Sequence, residues 1–127
     1  MDSTILSSGL EDYLECIYNI IKEQETVKAI EISKTLGVSR ASVTDALQRL
    51  AEKEYINYER YGNIEITDKG ITKAKEIIDK HTVLTGFFEK VLNLSKEEAT
   101  ENACRIEHVI TPNAFKKLKI YLKEINR

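Results

Sequence analysis

Apolar residues recur along this chain with two different periods, and the switches between them mark out its elements. Leu10, Tyr13, Leu14, Ile17, Tyr18 and Ile21 fall three and four apart, which predicts an amphipathic helix ending near Lys22. Ser7-Ser8-Gly9 precedes it, and Glu11 and Asp12 occupy its first turn, where carboxylates complement the helix N-terminus. A short helix is expected over 27–36, with Ile32 and Leu36 facing inward and Gly37 placed to end it in the left-handed conformation. Ser39 caps the next helix, which runs from Arg40 to near Lys53 with Val43, Leu47 and Leu50 on its core face.

The period then changes from helical to alternating. Tyr55-Ile56-Asn57-Tyr58-Glu59-Arg60 and Ile64-Glu65-Ile66-Thr67 flank Tyr61-Gly62-Asn63, which predicts a β-hairpin around a Gly/Asn turn. Thr67-Asp68 opens a long helix whose inward positions include Ile71, Ala74, Ile77, Ile78, His81, Leu84, Phe87, Phe88 and Val91. So long an apolar stripe exceeds what a small domain covers, which implies a dimer seam. Ser95-Lys96-Glu97-Glu98 is a capping box for a further helix. Thr111-Pro112 opens the last one, with Phe115, Leu118, Ile120, Tyr121, Leu122 and Ile125 as its apolar positions.

A short helix, a Gly turn and a second helix with a small, polar first turn form a helix-turn-helix, and the hairpin after it makes a wing. Small residues at the start of the second helix let its backbone approach base edges. The candidate DNA contacts are Lys28 ahead of the first of these helices, then Ser39, Arg40, Ala41, Ser42, Thr44, Asp45 and Gln48, with Arg60 and Asn63 at the wing tip. A plain helical hairpin is the competing reading of the helix pair.

Charge complicates that reading. Residues 1–70 hold eight Lys/Arg against thirteen Asp/Glu, a balance of −5, while 71–127 hold eleven against eight, a balance of +3. DNA binding by the first half therefore needs local basic patches or cations that offset its acids. Cys16 and Cys104, the only two cysteines, do not make a disulfide framework. With no basic n-region at the start, they point to a reducing, cytoplasmic setting. Cys16 to Ile21, the longest uncharged apolar stretch near the start, is far too short to span a membrane, so no membrane partner is expected.

The chemistry concentrates in Ala103-Cys104-Arg105-Ile106-Glu107-His108, read as the end of a helix that stops just before Thr111-Pro112. Residues three and four apart share a helix face, so Cys104, Glu107 and His108 project together. Soft sulfur, borderline nitrogen and hard oxygen suit a first-row transition metal better than calcium. Three ligands rarely complete such a shell; Asp12 and Glu15, again three apart, and His81 are further candidates. An ordinary polar helix end is the alternative, with His108 beside the C-terminal dipole.

In this order of parts, an acidic first helix carrying Glu-Asp-Tyr-Leu-Glu-Cys-Ile-Tyr (11–18), a winged helix-turn-helix, a long helix with one His, then Ala-Cys-Arg-Ile-Glu-His, the chain resembles the diphtheria toxin repressor family over residues 9–110. The resemblance implies a dimeric regulator that binds DNA when Mn(II) or Fe(II) is abundant, with Asp12, Glu15, His81, Cys104, Glu107 and His108 at the metal-ligand positions. Asp12, Glu15 and His81 are similar to the two-domain manganese branch, which usually has Glu at Cys104. The iron branch has Cys there but Met at Asp12, and its ancillary Glu and His fall on Thr85 and Thr100.

The expected architecture is mainly α: a winged helix-turn-helix DNA-binding domain over 1–70, then a helical dimerisation and metal-binding domain over 71–127. The expected function is a metal-dependent transcriptional regulator, a repressor by resemblance, binding palindromic operator DNA as a homodimer. A metal-independent winged-helix regulator and a winged helix used only for protein contacts are the alternatives. An enzyme is not expected: Cys104 and His108 lack an orienting third group or a Gly-rich oxyanion cradle, and no small-molecule substrate is implied.

Overall fold

The computed structural model describes residues 6–59 and 62–126, so the wing-tip candidate Arg60 lies outside the described residues. Two compact units divide the chain, Met1–Lys75 and Glu76–Arg127.

In the first unit, α1 spans Ser8–Gln24, and Ser7 Oγ accepts the Leu10 amide at 3.2 Å as its cap. The helix runs past Lys22 and stops where Glu25 takes φ 67°. Helix α2 covers Ala29–Leu36 and starts later than expected. Val27 is extended and forms a β-bridge with Ile64, and the Lys28 amide donates to Glu31 Oε1 at 3.1 Å. Burying Val27 against the hairpin outweighs adding a turn to a short helix. Gly37 has φ 67° and donates to the Ser33 carbonyl, the left-handed stop its position requires.

Helix α3 spans Arg40–Glu52, with Ser39 Oγ accepting the Ser42 amide at 3.1 Å. Strands β1 (Ile56–Tyr58) and β2 (Ile64–Ile66) pair antiparallel, Ile56 opposite Ile66 and Tyr58 opposite Ile64. Both are shorter than the alternation implied. The Thr67 hydroxyl lies within hydrogen-bond reach of the Glu54 and Tyr55 carbonyls and accepts the Gly70 amide, so the strand ends become the start of the next helix. A side chain at position 70 would place its Cβ 2.1 Å from the Tyr55 carbonyl oxygen, so this close approach requires glycine. Leu14, Ile17, Ile32, Val43, Leu47, Leu50 and Ile56 form the buried centre of the unit.

Helix α4 spans Asp68–Lys90, and the division between the units falls within it. The second unit adds α5 (Lys96–Ile106, capped by Ser95) and α6 (Pro112–Ile125, capped by Thr111). Ile77, Leu84, Ala99, Ala103 and Leu122 are its buried apolar residues. Lys119 Nζ meets Asp79 Oδ2 at 2.8 Å and ties α6 to α4. Of the apolar positions expected in α6, only Leu122 is buried, while Ile120, Tyr121 and Ile125 are exposed. Among the described residues no helix is long and apolar enough to cross a membrane.

Candidate metal centre

In the second unit α4 presents His81 and the end of α5 presents Cys104 and Glu107. Helix α5 ends at Ile106, about a turn before the expected stop ahead of Thr111-Pro112. The Val109 and Ile110 amides both donate to the Ile106 carbonyl, and Thr111 ahead of Pro112 is extended at ψ 152°. A residue before proline avoids the helical region, so the chain must leave the helix there. Glu107 is consequently the C-cap, still with helical φ and ψ, and His108 lies in the turn beyond it.

This placement gives Glu107 its position. Its carboxylate is buried, with the residue only 4% exposed. Oε2 lies 3.2 Å from His81 Nδ1, and Oε1 lies 3.6 Å from His108 Nε2. The Cys104 Sγ is 3.7 Å from the same His81 nitrogen. One donor atom each from His81, Cys104 and Glu107 all fall within 4.8 Å of one another. Donors bonded to one ion at about 2.0–2.3 Å stand about 3–4.5 Å apart, a range that holds the 3.2 and 3.7 Å separations of the His81 nitrogen from the Glu107 oxygen and the Cys104 sulfur. A carboxylate taken out of water needs hydrogen-bond donors or compensating charge, which an imidazole N–H or a cation supplies.

Asp12 and Glu15 lie on α1 of the first unit, Asp12 exposed and Glu15 half-buried. Next to Glu15, the Cys16 thiol is pushed up to about 11, first by burial and then by the Glu15 charge. That makes it a buried apolar group rather than a thiolate ligand, whereas Cys104 is exposed.

The nucleic-acid candidates occupy the same unit as α3. Arg40, Ala41, Ser42, Asp45 and Gln48 are exposed along that helix. Ser39 is engaged as the cap and also donates to Ser42 Oγ at 2.9 Å. The Thr44 hydroxyl donates to the Arg40 carbonyl, and Asp45 holds the Arg49 guanidinium at 3.0 Å. Lys28, Arg40, Thr44 and Asn63 line a common cleft. Tyr58 lines it too, a residue that the alternation along β1 assigns to the wing without singling it out.

Residues 5–64 match the N-terminal DNA-binding domain of the iron-dependent repressors, and residues 67–127 match the metal-binding and dimerisation domain of the same family. The HTH-type transcriptional regulator MJ0568 of Methanocaldococcus jannaschii is 38% identical over 94% of this chain and 96% of its own length. The HTH-type transcriptional regulator MntR of Bacillus subtilis is 30% identical over 87% of this chain and 77% of its own. Among solved structures, the manganese regulator SloR shares the fold with a TM-score of 0.79 at 24% identity, over 90% of this chain and 53% of that one. The chain thus spans about half the length of SloR. With both halves matched in sequence order, the chain belongs to the iron-dependent repressor family of helix-turn-helix transcriptional regulators.

Proposed function

We propose that the protein is a cytoplasmic, metal-dependent transcriptional repressor that binds palindromic operator DNA as a homodimer when Mn(II) or Fe(II) is bound. One observation carries this reading: His81, Cys104 and Glu107 converge within the residues matched to a metal-binding and dimerisation domain. In the proposed ligand set, Asp12 and Glu15 of α1 join His81, Cys104, Glu107 and His108. Carboxylate oxygens favour Mn(II), whereas the Cys104 sulfur favours Fe(II).

A bound cation supplies positive charge and a shared coordination shell. Glu107, buried between two imidazoles, orients His81 and His108 for that shell. Ligands drawn from both halves of the chain hold the two recognition helices of a dimer about one DNA turn apart, roughly 34 Å or a multiple of it. By linkage, metal and operator strengthen each other's binding by the same factor, typically about 1–3 kcal/mol. Fluorescence anisotropy with operator-length duplexes, with Mn(II) or Fe(II) and after chelation, tests the proposal. Equal DNA affinity in both conditions would leave a metal-independent winged-helix regulator.

A further inference from the structure

A groove of about 210 Å³ opens between α4 and α6, wholly within the second unit. Val83, Gly86 and Leu122 supply its apolar lining, and Lys90, Lys119 and Lys123 its charge, with no acid among the lining residues. Leu122 is buried and Val83 and Gly86 are half-buried, whereas Lys90 and Lys123 are exposed. The groove thus has an apolar floor under a cationic rim.

Two details mark it out from an ordinary solvated lysine face. Lys119 is held by Asp79 at 2.8 Å, but among the described residues neither Lys90 nor Lys123 makes a hydrogen bond or an ion pair. Both stand in the last turn of their helices, where a cation suits the negative end of the dipole, and both ammonium groups stay open to an anion. Gly86 lies inside the 23-residue α4, where glycine is less favourable than alanine. Neither packing nor backbone geometry requires it: a Cβ there would meet nothing within 4 Å, and its φ is not positive. What the missing side chain leaves is open depth in the groove.

We propose that this groove binds a small organic carboxylate with an apolar body, of the aryl-acetate or branched-alkyl kind. The floor favours a ligand that covers it from water, which a bare hydrated anion does not do. Lysines act as point charges without the planar fork of arginine, so they suit one compact negative charge above that floor. The space falls short of the about 300–1,000 Å³ of sites that take drug-sized ligands, which favours a compact molecule. The groove shares no residue with the proposed metal or DNA contacts, so this site stands or falls independently of them.

The test titrates the full chain with phenylacetate, following the Gly86 amide and the Leu122 methyl groups by NMR. Phenylacetate should bind with a Kd of about 1 mM, in keeping with its size and the open rim. Acetate lacks the apolar body and phenylacetamide lacks the charge, so each should bind at least about tenfold more weakly. Lys90→Gln and Lys123→Gln should each weaken phenylacetate about threefold, the scale of an exposed charge contact. Gly86→Leu should fill the groove and abolish the response, with helicity by circular dichroism retained because leucine is the better helix former. No shift at these groups up to about 10 mM phenylacetate would overturn the proposal. So would equal binding of acetate, or undiminished binding by the Gly86→Leu variant. Shifts that follow protein concentration and ignore phenylacetate would assign the groove to a second copy of the chain instead, and would also overturn it.

Discussion

The two units treat their apolar residues in opposite ways. In the first, Leu14, Ile17, Ile32, Val43, Leu47 and Leu50 are all wholly buried. In the second, Leu84, Ala99 and Ala103 are buried, yet Ile120, Tyr121 and Ile125 are 43–48% exposed on α6 and Leu92 is 50% exposed. A unit that closes its own core holds a reading surface in place without help. The second unit leaves apolar faces and a buried carboxylate between histidines, which the proposed function assigns to a second copy and a metal. On the proposed function, the first unit is the reader and the second the sensor.

The largest effect should come from the closed core. Leu47→Ala removes a wholly buried side chain of α3 and should cost about 2–5 kcal/mol, read from denaturant unfolding. A loss below about 1 kcal/mol would mean that the first unit is not the tightly packed one. Next comes the sensor. Glu107→Ala should weaken metal binding by about 100-fold or more, beyond the 10–100-fold typical of residues that only support a ligand. Circular dichroism should show the helices retained, because Glu107 lies at the end of α5 rather than inside it. Calorimetric titration with Mn(II) or Fe(II) measures the first part; unchanged affinity would remove Glu107 from the ligand set.

A smaller effect should separate the units by concentration. Tyr121→Ser, at an exposed position, should alter protomer stability by less than about 0.5 kcal/mol. If α6 belongs to the seam, that variant should still lower the melting temperature of dilute protein more than that of concentrated protein, since association stabilises by mass action. A shift independent of concentration would exclude α6 from the seam. The smallest effect concerns the two thiols. Exposed Cys104 should react with a thiol reagent in the folded protein, while Cys16 should not until the chain unfolds. The folded Cys16 thiol titrates at about 11 against an ordinary 9.0, so its contribution to stability is complete below pH 9 and is lost as pH rises through about 11. In Cys16→Ala that part of the alkaline decline should disappear, as unfolding curves over the same range would report.

What could be read from residues alone was whatever depends on a few neighbours. Ser7, Ser39, Ser95 and Thr111 cap the helices they precede, and Gly37 ends α2 with positive φ. Each of these outcomes is decided by hydrogen bonds between the backbone and a hydroxyl or carbonyl within four residues. The winged helix-turn-helix followed from them because its parts are contiguous. The grouping of Cys104 with Glu107 was also legible, three apart on one helical face.

Other features depended on residues far apart in the chain. Val27 left its helix because Ile64, 37 positions later, offered a β-bridge. His81 reached Cys104 and Glu107 across 23 and 26 positions, a meeting decided by how α4 packs on α5. The Glu107 carboxylate, at the C-cap of α5, likewise met its long-range partner His81 26 positions away as well as its neighbour His108. Periodicity marked six apolar positions in α6 but could not tell Leu122, which is covered, from Ile120 and Tyr121, which are not. Local chemistry chooses helix, turn and cap; burial and long-range pairing depend on which surfaces meet, and only the packed chain decides that.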